Sequence, residues 1–286
     1  MFVAVFKHID GLPPTSYDFN RQDGFYNPLI WRLFDGYLTQ NQFLIMKTNV
    51  LIPGLLFISS VAFGQTTKKV IELPEFKSIY VNSNYTVYLK QTNKQEVTVE
   101  ALTEIFSVTE IKVENGILMV NVERKPDNAN KSLWAKIDDI KLNPTMKLFV
   151  SVKSITDLQV NGGGKIISEN SIATDYVTLG VSGPGSMDVD LKGNTIKSEV
   201  SGSGTMTLRG YATSLEALVS GSGNINGFSC ALEKAKVKVS GSGVCQVNVT
   251  DNIDAVVLGN GSVKHKGNTK TATKKIYGSG TIDRAY

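Results

Sequence analysis

The sequence has 286 residues, 41% of them hydrophobic and 26 of them glycine, with a formal net charge of +4. That length suits one large or two small domains with a substantial core, and so mild a charge gives no argument for a nucleic-acid partner. Two cysteines and two histidines, without CxxC or HExxH spacing, exclude the common zinc motifs, so no metal or cofactor is expected.

In chain order, residues 1–45 are rich in aromatics and turn formers (LPPTSYDF, YNPLIWRLFDGY) and follow neither helical nor strand period. Met46-Lys47 then precedes the 14-residue apolar run VLIPGLLFISSVAF (residues 50–63), which exits through Ala62-Phe63-Gly64. A charged start, a short apolar core and a small-residue exit describe a secretory signal. The run is shorter than the roughly 20 residues a membrane-spanning helix needs. Residue 65 is Gln rather than Cys, which removes the lipoprotein attachment site. We therefore expect residues 1–45 to be an over-extended gene-model leader and residues 46–64 a signal peptide cleaved near Gly64. Residues 65–286 then form a single extracytoplasmic domain without a transmembrane segment.

From Lys69 to Lys153 the apolar period is two, through VIELPEF, SIYV, YTVYLK, EVTVEA, FSVTEIKVE, GILMVNVER and MKLFVSVK. Turn formers interrupt it at Asn82 to Asn84, Thr92 to Lys94, Asn115-Gly116 and Pro126 to Asn130. Asn115-Gly116 between alternating runs predicts a hairpin, and Pro126 to Pro144 predicts the longest loop. Residues 65–155 thus read as an irregular β-rich half.

Residues 156–286 repeat one phrase: VSGPGSM, VSGSGTM, VSGSGNI and VSGSGVC, with looser copies VNGGGKI, VLGNGSV and IYGSGTI. Its first glycines are Gly162, Gly183, Gly202, Gly221, Gly241, Gly259 and Gly278, at steps of 21, 19, 19, 20, 18 and 19 residues. A fixed period near 20 marks stacked repeats. The fold class expected is all-β, a parallel β-helix-like stack of 19–20-residue rungs preceded by irregular β-rich rungs and hairpins.

Alignment of the copies predicts three inward ladders, and hence a three-sided coil. The first is Ile166, Met187, Met206, Ile225, Cys245, Val263 and Ile282. The second is Ile172, Ile196, Leu215, Leu232 and Ile253, and the third runs from Val181 through Val200, Val219, Val239 and Val257 to Ile276. The serines Ser182, Ser201, Ser220 and Ser240 should stack at the glycine corner. FKSIYVNSNYTV (Phe76 to Val87) also aligns without a gap on ITDLQVNGGGKI (Ile155 to Ile166), as a faint earlier copy. Cys230 and Cys245 occupy different places in their repeats and read as two buried, inert thiols.

The glycine phrase is a structural corner, since no copy leads into a helix or carries the Lys-Ser/Thr of a phosphate loop. Chemistry falls instead to the outward positions Asp188, Asp190, Thr207, Arg209, Asn226, Gln246, Asn248, Lys264 and Lys266, a polar face offered as a candidate ligand-binding strip. Asp190 and Arg209 are expected to pair, and no aromatic platform is expected beside them. His265 falls on an inward position as an end-of-stack histidine. The enzymatic alternative is a carbohydrate-active β-helix using Asp188 and Asp190 as paired carboxylates. The bland alternative is a solvated β-helix face, and a third reading of the protein is a periplasmic structural or assembly factor. Lys264 to Lys275 (KHKGNTKTATKK) is a basic patch suited to protecting an open edge or to meeting anionic polysaccharide or lipid head groups.

FKSIYVNSNYTVYLKQTNKQEVTVEA, EIKVENGILMVNVERK, the repeated VSGSG corners and the closing YGSGTIDRAY together resemble the head GIN domain family, described as auto-transporter adhesins and found as exported proteins of Bacteroidota. The resemblance spans residues 65–286. It implies a secreted β-helix-like domain with an adhesive role toward polysaccharide or another envelope component, and no enzymatic activity. It brings no catalytic residues with it, and nothing after Gly278 resembles a membrane barrel.

Overall fold

In the computed structural model, residues 66–122 and 146–285 are described. The expected leader, the signal segment and the Pro126–Pro144 loop lie outside them. The second half of the chain is a β-solenoid of about 7 turns with parallel stacked rungs. Its strands are β8 (Asp157–Asn161), β9 (Lys165–Ser168), β10 (Ile172–Gly183), β11 (Ser186–Gly202), β12 (Thr205–Gly221), β13 (Asn224–Gly241), β14 (Val244–Gly259), β15 (Ser262–Lys266), β16 (Thr271–Tyr277) and β17 (Thr281–Arg284).

Each rung carries two alternating runs. In β11, Met187, Val189 and Leu191 point inward, the polar stretch Lys192–Thr195 turns the chain, and Ile196, Ser198 and Val200 point inward again. Six inward positions in this rung stand where three ladders were expected. The first ladder stands as read, with Ile166, Met187, Met206, Ile225, Cys245, Val263 and Ile282 opposite one another in sequence. The third keeps its register from Val181 to Ile276 and is buried through Val257, but Ile276 is exposed, since no described strand stacks on it beyond β14.

The second ladder needs correction. Its members are Val177, Ile196, Leu215, Ala235 and Ile253. Ile172 faces Leu191, and Leu232 faces Ala212 and Val249. For Leu232 the cause is in β13, where bulges at Gly227/Ala231 and Leu232/Lys234 shift the register. Extra residues in one strand displace everything after them until the next corner resets the count.

The glycine corner is made by two glycines for two reasons. The first of each pair has positive φ, +108° at Gly221 for example, where a Cβ is penalised. The second has ordinary φ but no room. A Cβ on Gly223 would lie 2.5 Å from Val200 Cγ1 and 2.7 Å from the Gly204 carbonyl oxygen. That oxygen accepts from Asn224 N at 3.0 Å, and the same bond recurs at Gly164, Gly185, Gly223, Gly243 and Gly261. Ser182, Ser201, Ser220 and Ser240 lie in register at this corner.

The first half builds one more rung and a cap. β2 (Ser78–Val81) and β3 (Thr86–Gln91) lie parallel to β8 and β9. Ile79 faces Leu158, Val81 faces Val160 and Val87 faces Ile166, the pairing of the faint sequence copy. Asn82-Ser83-Asn84 replaces the glycine corner, and the buried Tyr85 takes the second glycine's place. Its carbonyl accepts from Lys165 N at 2.9 Å, which starts the row of corner bonds. The Tyr85 hydroxyl lies 2.8 Å from Thr109 Oγ1, and the Thr109 hydroxyl in turn donates to Ile105 O. Burial raises the Tyr85 pKa. The serine row continues as asparagines, with Asn161 Nδ2 donating to Asn82 Oδ1 and Asn82 Nδ2 to Asn121 Oδ1, both at 2.9 Å.

Beyond this rung the strands mix direction. β1 (Thr66–Ile71) runs antiparallel to β4 (Glu96–Leu102), which runs antiparallel to β7 (Met146–Val152), itself parallel to β3. On the other face, β5 (Thr109–Glu114) and β6 (Ile117–Val122) form the expected hairpin, with φ of +52° at Asn115 and +74° at Gly116. A five-residue helix, α1 (Thr103–Ser107), joins β4 to β5 and buries Ile105. The alternating pattern of FSVTEIKVE did not announce it.

At the far end the core meets polar residues. His265 continues an inward column beneath Val247 and above Arg284. It is 4% exposed, and neither ring nitrogen has a partner. Burial, and then the charges of Lys274 and Arg284, lower its pKa from 6.5. The unfolded chain binds a proton that the native state refuses, so this group's contribution to stability is complete above pH 6.5 and is lost as pH falls through the lowered native value. His265→Leu removes an orphaned polar group. It should stabilise by about 1 kcal/mol and flatten that acid limb, read as urea midpoints between neutral and mildly acidic pH. An unchanged limb refutes this assignment.

Candidate functional site

Outward side chains of the first run form columns along the axis. Asp188, Thr207, Asn226, Gln246 and Lys264 are consecutive partners, with Asp283 last. Strand spacing sets their separation at about 4.8 Å. All but the exposed Lys264 and Asp283 are half-buried. Asp190 and Arg209 begin a second column that passes to Ser229 and breaks at the bulge, so Asn248 and Lys266 pair with each other but not with the first two. The nine residues therefore lie on one face as a continuous column of five and two separate pairs.

The expected Asp190–Arg209 pair does not form. Arg209 Nη1 donates diagonally to Asp188 Oδ1. The Asp190 carboxylate leans instead toward Gly210, whose missing Cβ leaves it space, and its field helps raise the Cys230 pKa. The Arg209–Asp188 pair is more than a third exposed on the arginine side, so it contributes at most about 1 kcal/mol. Both cysteines are free and buried. Burial pushes Cys230 up to about 11 and Cys245 to about 12, so both stay protonated and unreactive at neutral pH.

Aromatic side chains do lie on this face, where none was expected. Beyond Asp188 the column continues through Ile167 to Tyr88 and Phe149. The two rings stack with centroids 5.2 Å apart and planes 15° apart, and Lys68 Nζ lies 5.5 Å from the Phe149 centroid. The two half-buried rings brace β3 against β7. Period-two alternation marks Tyr88 and Phe149 as outward, but their meeting depends on the β3–β7 pairing.

The opposite face has its own column, Lys197, Glu216, Lys236 and Asp254, alternating in sign, which favours neighbouring rungs. It borders a shallow cleft of about 420 Å³ that includes Thr195, Ser214 and Asn252. Among the described residues, no group of three or more His, Cys, Asp or Glu side chains is placed to hold a metal ion. No described helix is long and apolar enough to cross a membrane.

Parallel rungs on glycine corners, an irregular cap and polar outward columns define a capped β-solenoid whose variable chemistry lies on its faces. The chain belongs to the head GIN domain family: the description "Putative auto-transporter adhesin, head GIN domain" matches residues 75–269. The fold is shared with the crystal structure of a "putative adhesin" from Bacteroides fragilis NCTC 9343, at 22% identity and a TM-score of 0.68 over 77% of this chain and 97% of that one. It is also shared with a "putative lipid binding protein" from Parabacteroides distasonis ATCC 8503, at 20% identity and a TM-score of 0.63 over 78% and 98%. No curated protein matches the sequence.

Proposed function

We propose that this is an exported, non-enzymatic domain of the cell envelope that binds glycan along the outward face of its first strand run. The observation that carries the reading is the unbroken column Asp188, Thr207, Asn226, Gln246 and Lys264. It offers hydrogen-bonding groups at the regular interval of the rungs, which suits a ligand that is itself periodic. Family membership and the adhesin names of similar structures support an adhesive role. The non-enzymatic reading is favoured because Arg209 holds the Asp188 carboxylate, so Asp188 and Asp190 do not stand as a free acid–base pair. Residues 46–64 act as the export signal and residues 65–286 as the exported domain. N-terminal sequencing of the native protein tests this, and a first residue upstream of Met46 overturns it.

The binding test is a glycan array probed with the wild type and with Asp188→Ala, Thr207→Ala, Asn226→Ala and Gln246→Ala combined. Wild-type signal should fall at least tenfold in the variant. Absence of glycan binding by the wild type, or measurable turnover of a bound polysaccharide, refutes the proposal.

A further inference from the structure

We propose that the C-terminal end of the solenoid docks on an anionic phospholipid surface, with lysines meeting headgroup phosphates around an exposed Ile276–Tyr277 tip. The first argument is where the charge sits. Residues 264–286 hold Lys264, Lys266, Lys270, Lys274, Lys275 and Arg284 against Asp283 alone, a balance of +5 in a chain whose total is +4. The remaining residues together net −1, so the chain's positive charge is gathered at one end.

The second argument is that these cations lack acidic partners. Among the described residues of this end, only Lys270 pairs with a carboxylate, Asp251 at 3.1 Å. Lys266 rests over the Phe228 ring, and Lys274 and Arg284 donate to the carbonyls of Ile282 and Gly267. The lowered pKa of His265 reports the same uncompensated field from Lys274 and Arg284.

The third argument is apolar. No described strand stacks on β16 beyond β14, and every residue of β16 is exposed, including Ile276 at 46% and Tyr277 at 62%. Lysines placed only to block edge pairing would sit on the edge strand. Here they extend to Lys264 and Lys266 on the other strand run, and β16 itself exposes an isoleucine and a tyrosine that a guarded edge would avoid. An acidic polysaccharide would satisfy the lysines and leave Ile276 and Tyr277 in water. A bilayer interface accepts both kinds of group, since an aromatic with a polar tip and an aliphatic side chain reach the acyl boundary below the phosphates.

The test is co-sedimentation of the full chain with vesicles of phosphatidylcholine alone and of phosphatidylcholine with phosphatidylglycerol in equal amounts. Binding should require phosphatidylglycerol and weaken as salt is raised. Each lysine near the surface is worth about fivefold in partition, so Lys264→Gln, Lys274→Gln and Lys275→Gln together should lower it about 100-fold. Lys94→Gln, Lys165→Gln and Lys192→Gln together are the control for net charge and should change it far less. Ile276→Ser with Tyr277→Ser should reduce binding with every charge kept, and urea midpoints show that each variant folds. The four-alanine glycan-face variant should bind vesicles as the wild type does, which separates this proposal from the glycan reading. Equal binding to neutral vesicles overturns it, as does equal loss in the control variant. So does capture by free polygalacturonate with no vesicle binding.

Discussion

Gly221→Ala should destabilise the fold by about 2–5 kcal/mol and Gly223→Ala by about 1–3 kcal/mol, whereas Gly162→Ala should cost about 1–2 kcal/mol. At Gly221 two penalties add. Its φ is +108°, and a Cβ there would stand 2.7 Å from the Gly202 carbonyl oxygen of the preceding rung. At Gly223 only the second kind applies: the alanine methyl meets Val200 Cγ1 and the Gly204 oxygen, and the rung must retreat from the acceptor that Asn224 N uses. Gly162 has φ of +124° with nothing within 4 Å of its Cβ position, so the dihedral penalty acts alone. Urea melts of the three variants provide the comparison. Equal losses at all three would mean that backbone conformation governs the corner and that close approach of the rungs does not. For a domain of this size the larger losses lower Tm by about 10 °C.

Ile225→Ala should cost about 3–4 kcal/mol and Ile282→Ala about 1–2 kcal/mol, although both delete the same atoms from the same ladder. Ile225 is 0% exposed between Met206 and Cys245, rungs that hold their places on both sides, so the cavity cannot collapse. Ile282 is 7% exposed and has a ladder partner, Val263, on one side only. In a one-dimensional stack stability is a sum of rung and neighbour-interface contributions, and a terminal rung has one interface to lose. Hydrogen exchange supplies the companion measurement: Ile282→Ala should accelerate exchange in β15 to β17 and leave β11 to β13 protected. A uniform rise across all rungs would show that the stack unfolds as one unit.

The contrast between well-read and misread positions has a physical origin. The first and third ladders were legible because their members stand a fixed two to five residues from a glycine whose place the corner dictates. The second lies mid-rung, where the β13 bulges alter the count; Leu232 has the right chemistry for the column that Ala235 fills. The Asp188–Arg209 pair was missed because rung neighbours were assumed to be the nearest partners, whereas a guanidinium reaches the diagonal carboxylate as readily. Tyr88 and Phe149 are 61 positions apart, and their contact rests on pairing among strands that mix parallel and antiparallel directions. No periodicity encodes that pairing.

The row of corner bonds that begins at the Tyr85 carbonyl has a consequence for how such a protein changes length. The second-position glycines from Gly164 to Gly261 present the same acceptor to the rung that follows, and Tyr85 presents an equivalent one from within the cap. A rung inserted or removed at any GxG boundary finds the donor it needs, and neither the cap nor the tip has to be redesigned. The molecule is in this sense a ruler. Each duplication of one period moves the tip about 4.8 Å further from the cap, so the length of the solenoid is set by copy number.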